Sequence, residues 1–340
     1  MEHLLGMTIQ ELKVVASRLS LPAYVATQMA DWLYKKKIKS VSDMTNISVA
    51  KREQLSLNYD IGAIPPVESK KSSDGTIKYL FSAGSESRFV EAVYIPSKDR
   101  ATICISSQVG CKMNCHFCMT GKQGFTAQLT ANDIINQIQS IPEHEELTNI
   151  VFMGMGEPLD NPEEVNKVLE ILTSDYGYAW SPKRVTLSTI GVLPELKHFL
   201  DNSNCHLAIS LHSPFHEERL SLMPIEKVYH IDSIVNLLLK YDFSHQRRLS
   251  FEYIMFENLN DTNRHAKELS RLFKGLDCRI NLIKFHSIPG VNLRSSNEHK
   301  IEAFRDELNT LGITCTIRAS RGEDIFAACG MLSTAKNNIK

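Results

Sequence analysis

The order of apolar and polar positions divides the chain into three stretches. Residues 1–63 read as helical: Thr8 and Glu11 form a T-x-x-E capping box ahead of Leu12, Val14, Val15 and Leu19. A second helix is predicted over residues 23–37, ending in the basic run Lys35, Lys36, Lys37 and Lys39, and a third over roughly residues 48–58. Pro65-Pro66 then breaks the pattern. Residues 67–97 read as strands, with Asp74-Gly75 as a hairpin turn before TIKYLF and with RFVEAVYI following.

From residue 100 strands and helices alternate. ATICIS, NIVFMG, RVTLST, HLAISL, LSFEYIM and RINLIKF read as strands, and TCTIRA closes the series. Helices lie between them: LTANDIINQIQS with Thr130 as N-cap, PEEVNKVLEIL, VLPELKHFL, one near residues 230–241, NRHAKELSRLF and one over residues 297–311. This alternation predicts an α/β fold, a parallel sheet of right-handed βαβ units. Six such strands suit a partial (β/α)6 barrel, and an open doubly wound sheet fits the same pattern. Three parts are expected: a small helical accessory domain over 1–63, a short β-hairpin linker region over 64–99, and the barrel over 100–335. Ligands in either architecture collect at the carboxyl ends of parallel strands. There the sequence places a cysteine loop, GMGEP, Ser188, Ser210-Leu211-His212 and His286, from five separate strands.

Composition changes this picture little. The 340 residues are 43% hydrophobic with a net charge of -1, ordinary for a globular enzyme. Whole-chain charge argues neither for nor against a nucleic-acid partner. MEHLLGMTIQELK lacks the basic and apolar regions of a signal peptide. No apolar run is long enough to span a bilayer, so a cytoplasmic location and no membrane partner are expected. Of the eight cysteines, Cys104, Cys205, Cys278, Cys315 and Cys329 are scattered, as in a reducing compartment.

The other three carry chemistry. Cys111, Cys115 and Cys118 stand in CKMNCHFC, within eight residues of one loop. Soft thiolates so spaced can close around zinc or an iron–sulfur cluster. A closed zinc site or an ordinary cubane takes four protein ligands. Three ligands on a four-iron cluster leave one iron open for a substrate or cosubstrate. A zinc knuckle completed by His116 or a distant residue is the competing assignment.

The spacing, with Phe117 before the last cysteine, resembles the signature of radical S-adenosylmethionine (SAM) enzymes. Together QVGCKMNCHFCMTGKQGF, FMGMGEPLDN, RVTLSTIG, AISLH, RLSLMPIEK, NLIKFHSIPG and RGEDIFAACG resemble one family over nearly the whole chain. It is the dual-specificity ribosomal RNA and transfer RNA adenine-C2 methyltransferases. A sister group that methylates C8 tends to read GEA where this chain has Gly156-Glu157-Pro158, so the resemblance is to the C2 enzymes.

The resemblance implies a radical SAM barrel with a 4Fe–4S cluster on Cys111, Cys115 and Cys118. Gly156 and Glu157 match the segment that binds the SAM amino group. Ser188, Ser210, Leu211 and His212 match positions lining its ribose and carboxylate. His286 stands where many members have an asparagine that contacts SAM. Cys329 matches the cysteine that becomes S-methylated, Cys104 the resolving cysteine, and Glu91 a glutamate proposed as proton acceptor. The implied partners are 23S rRNA, tRNA and a flavodoxin-like or ferredoxin-like electron donor, with the enzyme acting as a monomer.

The implied chemistry suits the substrate. Adenine C2 lies between two ring nitrogens and is too electron-poor to attack a sulfonium methyl, but a radical can add to it. On the family scheme Cys329 takes a methyl from one SAM. A second SAM yields a radical that removes a hydrogen from that methyl, and the resulting methylene radical adds to C2. Loss of the C2 proton and attack by Cys104 on the Cys329 sulfur release the product and leave a disulfide, which external reductant resets.

Taken one at a time, these residues have plainer readings. Cys104, between Ile103 and Ile105, reads as a small core hydrophobe, and so do Cys205, Cys278 and Cys315. Glu91 reads as the solvent face of a strand, His212 as a satisfied histidine at a strand end, and Cys329 as part of a mobile loop or a helix end. The lysine run beside Trp32 and Tyr34 suits a phosphate backbone or a solvated helix end. Arg247, Arg248, Lys183 and Arg184 are further nucleic-acid candidates. Rival functions are the C8-methylating activity, a non-catalytic iron–sulfur RNA-binding or electron-transfer protein, and a conventional SAM methyltransferase with structural zinc. The second leaves GMGEP, Ser188 and His212 unexplained, and the third lacks its glycine-rich turn.

Overall fold

The computed structural model describes residues 1–84, 87–245 and 247–333. The amino-terminal helices form where predicted. Thr8 caps Ile9–Arg18, its hydroxyl accepting from the Glu11 N–H while the Glu11 carboxylate accepts from the Thr8 N–H at 2.7 Å. Tyr24–Ala30 runs on into a π-helical turn, Asp31–Lys35, and Val49–Ser56 is the third helix. Leu12, Met29, Leu33 and Leu55 are buried between them. The pattern did not anticipate a short parallel pairing of Glu2–His3 with Tyr59–Asp60, which ties the two ends of this unit together. The Asn132 side chain donates to the Leu5 and Gly62 carbonyls at 3.1 Å each, and so docks the unit on the following domain.

The longer strands join one ten-stranded sheet. In chain order they are β1 (Glu68–Lys71), β2 (Ile77–Ser82), β3 (Phe89–Ser97), β4 (Arg100–Cys104), β5 (Asn149–Phe152), β6 (Val185–Thr189), β7 (His206–Ser210), β8 (Leu249–Met255), β9 (Arg279–Lys284) and β10 (Thr314–Ile317). Their order in the sheet is their order in the chain. β1 to β4 are antiparallel neighbours, with Gly75 at φ +86° in the predicted turn. From β4 to β10 every pairing is parallel.

That order decides between the two architectures. A doubly wound sheet reverses its strand order at a switch point. Here there is no reversal, so successive right-handed crossovers keep the helices on one face. The end strands β1 and β10 do not pair with each other, which leaves an open arc, a partial barrel. Its parallel strands are the six predicted ones plus the closing TCTIRA strand. The predicted barrel segment extends to residue 335, and residues 334 and 335 lie outside the described residues.

Helices Ala131–Gln139, Pro162–Thr173, Leu193–Asn202, Ile231–Leu238, Asn263–Leu272 and Glu298–Thr310 fall where the pattern put them. Thr130 caps the first through a box with Asp133. Ile150, Leu187, Leu207, Phe251 and Ile280 from the strands are buried, as are Ile134, Val165, Leu196 and Leu269 from the helices. Each such side chain contributes about 1.5–3 kcal/mol on leaving water. β8 is buried along its whole length, as befits a parallel strand covered on both faces. Among the described residues no helix is long and apolar enough to cross a membrane.

Candidate active site

Beyond Cys104 the chain enters a two-stranded ribbon, Gln108–Gly110 with Phe125–Gln128, that encloses the cysteine loop. The Cys111 N–H donates to the Gly124 carbonyl at 3.0 Å and the Cys118 N–H to the Cys115 carbonyl at 3.1 Å. All three cysteines line one cavity at the carboxyl ends of the parallel strands. Burial, reinforced by the neighbouring thiols, pushes Cys111 up to about 12 and Cys115 well above the usual thiol range. A bound cation would offset that burial cost and favour the thiolate forms of Cys111 and Cys115.

The number of ligands bears on which cation. A lone zinc ion would need a fourth protein ligand to close its tetrahedron, whereas three thiolates on a four-iron cluster leave one iron open. His116, the fourth ligand of the zinc assignment, lines a separate groove with Asn114 and Lys122.

GMGEP follows β5 along the cavity wall. Gly156 has φ +95°, and a Cβ there would lie 2.5 Å from the Gln108 Cβ. Gln108 accepts from the Glu157 N–H at 2.9 Å and donates to Gln128 and Asp160, which fastens this turn to the cysteine ribbon. The buried Glu157 carboxylate accepts from the Leu159 N–H at 3.0 Å and the Ile190 N–H at 2.9 Å. Burial raises it to about 7. Each oxygen keeps acceptor capacity for a ligand.

Ser188 on β6 and Ser210 at the end of β7 line the same cavity, while Leu211 is wholly buried and outside its lining. His212 adopts φ +59°, a left-handed conformation uncommon outside glycine. The Asn260 amide donates to its carbonyl at 2.6 Å, and the Ile254 N–H donates to its Nδ1 at 3.0 Å. Burial, with Arg219 nearby, depresses the ring to about 3. The imidazole is thus neutral, and the bond to Nδ1 places its hydrogen on Nε2. Phe117 packs edge-on against it with ring centres 4.6 Å apart.

The carboxyl-terminal loop delivers Cys329 to this cavity. The loop is strapped down at several points. The Met119 N–H donates to the Gly330 carbonyl at 2.8 Å and Thr120 Oγ1 to the Leu332 carbonyl at 2.7 Å. Asp324 accepts from the Ser73 N–H at 3.2 Å, and Lys78 donates to the Phe326 carbonyl at 3.3 Å. Cys329 stays exposed and Cys104 is buried. Burial and the Cys329 charge together push Cys104 up to about 12. Desolvation of its sulfur within the cavity also raises Cys329, against the pull of the Arg318 guanidinium.

Arg318 and Glu252 were missed in the sequence. Arg318 Nη1 donates to Glu252 Oε2 at 3.1 Å and lies 3.2 Å from the Met153 sulfur. Both residues line the cavity with Cys329. The signal was there: Glu252 is the one acid inside the apolar strand LSFEYIM, and Arg318 follows the end of β10.

Glu91 is not on a solvent face. It pairs with Lys78 at 2.9 Å, both side chains buried, and its other oxygen accepts from the Ser333 N–H at 2.9 Å. Burial raises its pKa. Val93 lies directly opposite Cys104, and strand alternation puts Glu91 on the same face as Val93. His286 is set apart from the cavity lining: its Nε2 meets Ser320 Oγ at 2.9 Å and its Nδ1 meets Glu323 at 3.1 Å.

The basic candidates also separate. Lys35 and Lys36 lie 3.9 and 3.5 Å from Asp31, Lys36 sits over Trp32, and Lys37 pairs with Glu145 at 2.7 Å. Arg247 is buried and donates to the Leu200 carbonyl at 3.1 Å. With Arg248, Lys183 and Arg184 it lies before β8 or β6, at the opposite ends of the strands from the cavity. Cys205 and Cys315 are buried and Cys278 is half-buried, in keeping with core roles.

Comparison with known proteins agrees with this geometry. The radical SAM superfamily profile matches residues 105–269, and that of the ribosomal RNA large subunit methyltransferase N-terminal domain matches residues 2–61. The probable dual-specificity RNA methyltransferase RlmN of Parabacteroides distasonis is 69% identical over 98% of this chain and 97% of its own. The dual-specificity RNA methyltransferase RlmN of Syntrophus aciditrophicus is 40% identical over 96% of this chain and 95% of its own. A crystal structure of a radical SAM methyltransferase from Sphaerobacter thermophilus superposes with a TM-score of 0.91 at 34% identity, covering 98% of this chain and 99% of that one. The single-wound arc, the three-cysteine loop at its mouth and these end-to-end matches agree: the chain belongs to the RlmN family of radical SAM RNA methyltransferases.

Proposed function

We propose that this cavity methylates C2 of one adenine in 23S rRNA, and of the adenine next to the anticodon in certain tRNAs, through Cys329. The observation that carries the reading is the convergence of two loops. The strapped Cys329 loop and the three-cysteine loop face one cavity, with Cys104 buried close by. Family membership brings a 4Fe–4S cluster and SAM. Cys111, Cys115 and Cys118 would hold the cluster. Glu157 and the Gly156 backbone would take the SAM amino group, and Ser188, Ser210 and the His212 Nε2–H its ribose and carboxylate. When bound and reduced by a flavodoxin-like or ferredoxin-like donor, these groups supply hydrogen-abstracting radical chemistry.

The protein's own residues do the rest. The Arg318 guanidinium, anchored by Glu252, favours the Cys329 thiolate, the form that accepts a methyl. Phe152, Ile190, Met223 and Ile254 line the cavity with apolar surface and keep water from the reacting carbon. Glu91, held by Lys78, serves as the base for the C2 proton. Once the adduct has passed its unpaired electron back to the external carrier, Cys104 attacks the Cys329 sulfur: the S–S bond forms as the S–C bond breaks, the released carbon keeps that electron pair and takes a proton to become the methyl, and two external electrons reset the cysteine pair. Leu211 backs the SAM wall from the core. We assign His286 to holding the Ser320–Glu323 segment rather than to SAM. One chain carries every part, which supports a monomer.

Nucleoside mass analysis of RNA treated with reconstituted enzyme tests this reading. The expected product is 2-methyladenosine with 5′-deoxyadenosine released. An 8-methyl product would assign the sister activity, and no release of 5′-deoxyadenosine would leave an iron–sulfur binding protein.

RNA docking is proposed on the exposed lysines of the amino-terminal domain. Lys37 is committed to Glu145, so the test replaces Lys35, Lys36 and Lys39 with glutamine. Binding should weaken, and the slope of log affinity against log salt should flatten by about 0.7–0.9 for each phosphate no longer neutralised. RNA-independent SAM cleavage should not change. An unaltered salt series would remove this surface from the RNA path.

A further inference from the structure

A second set of ligand atoms lies outside the cavity, in the segment after β7. His216 opens the short helix His216–Leu222, Glu226 lies in the turn Pro224–Lys227, and His230 immediately precedes the helix Ile231–Leu238. His216 Nδ1 is 3.0 Å from Glu226 Oε1. His230 Nδ1 is 3.2 Å from His216 Nδ1 and 3.6 Å from Glu226 Oε1. The three atoms form a nearly equilateral triangle. A tetrahedral ion with bonds of about 2.0–2.1 Å to nitrogen and oxygen has ligand edges of about 3.3–3.4 Å.

Hydrogen bonding alone satisfies this triangle poorly. Two Nδ1 atoms at 3.2 Å cannot both carry hydrogen. If one does, it must choose between the other ring and the carboxylate. A cation at the centre takes all three lone pairs at once. The surroundings fit such a site. Glu226 is buried, its Oε2 held by the wholly buried Arg219 and its Oε1 further oriented by the Ile231 N–H at 3.2 Å. The imidazoles are 42% and 51% exposed, which leaves a fourth position for water. Two imidazoles and one carboxylate suit zinc and its late first-row neighbours, whereas calcium and magnesium take oxygen donors.

We propose that His216, Glu226 and His230 form a surface site for one zinc-class divalent cation, distinct from the cluster. The site is braced against the cavity. Arg219 donates to the carbonyls of Ile190, Ser210 and Leu211 at 3.2, 3.1 and 3.2 Å. The Leu222 carbonyl accepts from the His116 N–H of the cysteine loop at 2.9 Å. An ion here ties residues 216–230 together and stiffens the strand ends beside Ser210. The Arg219 charge lies close by, so the ion is held reversibly.

Anaerobic titration of the cluster-loaded enzyme with zinc, against a chromophoric chelator, tests the site. One equivalent should bind in addition to the iron. His216→Ala and His230→Ala should each weaken it by about tenfold or more. Zinc should raise the thermal midpoint of the unsubstituted protein but not of the double variant. Both substitutions fall on exposed side chains, and the double variant should keep its iron and its methyltransferase activity when chelator is present. No uptake by the unsubstituted enzyme with zinc in excess would overturn the proposal. So would equal affinity in the double variant, which would place the zinc elsewhere.

Discussion

Cys104→Ala protein should accumulate covalently bound to its RNA under turnover conditions, whereas Cys329→Ala protein should form no adduct and transfer no methyl. Among the described residues, Cys329 is the only cysteine outside the CxxxCxFC loop that lines the cavity. On the proposed mechanism it is the methyl carrier, so without it product formation should fall to background. Cys104 is near enough to feel the Cys329 charge but is buried, so on the proposed mechanism replacing it leaves the carrier intact and removes only the group that frees it. The stalled species is a Cys329–CH2–C2 link, visible as a mass-shifted Cys329 peptide after nuclease digestion. Full multiple turnover by Cys104→Ala would return Cys104 to the role of a core residue.

The acid–base setting of Cys104 adds a pH signature. Burial and the Cys329 charge favour its neutral thiol, with a pKa of about 12, while attack requires the thiolate. Below that pKa the thiolate fraction rises about tenfold per pH unit. Any adduct trapped in the unsubstituted enzyme should therefore decay faster as pH rises. Once Cys329 carries the adduct its charge is gone, and burial remains as the main upward push against Arg318.

Loss of any one of Cys111, Cys115 or Cys118 should abolish turnover by removing the cluster. Each alanine variant should lose its iron and visible absorption after anaerobic reconstitution, while Cys205→Ala should keep both. The trio is poorly suited to a lone zinc ion because His116, the nearest candidate for a fourth ligand in sequence, faces another groove. Stoichiometric zinc at these cysteines, with no iron in anaerobically purified protein, would sink the assignment.

Much of this protein was legible in its sequence because the signals are local. A capping box such as Thr8–Glu11 closes within one helical turn. Strand and helix periods are set by side-chain geometry over a few residues, so the parallel strands could be read directly. The cysteine trio sits in one loop, and GMGEP, Ser188, Ser210 and His212 follow from the rule that parallel strands present their carboxyl ends together.

Tertiary structure decided what depends on distant segments meeting. The sequence allowed either a partial barrel or a doubly wound sheet, because strand order is not written in any one strand. Glu91 looked like a solvent-facing acid until Lys78 and the Ser333 N–H covered it. The Arg318–Glu252 pair beside Cys329 joins β8, the end of β10 and the last loop. His286, placed correctly at a strand end, turns its ring nitrogens to Ser320 and Glu323. Arg247 and its basic neighbours proved to lie at the far ends of the strands. Periodicity and capping are short-range and survive in any context. Which loops share a cavity is set by strand order and by burial, which act on the whole chain at once.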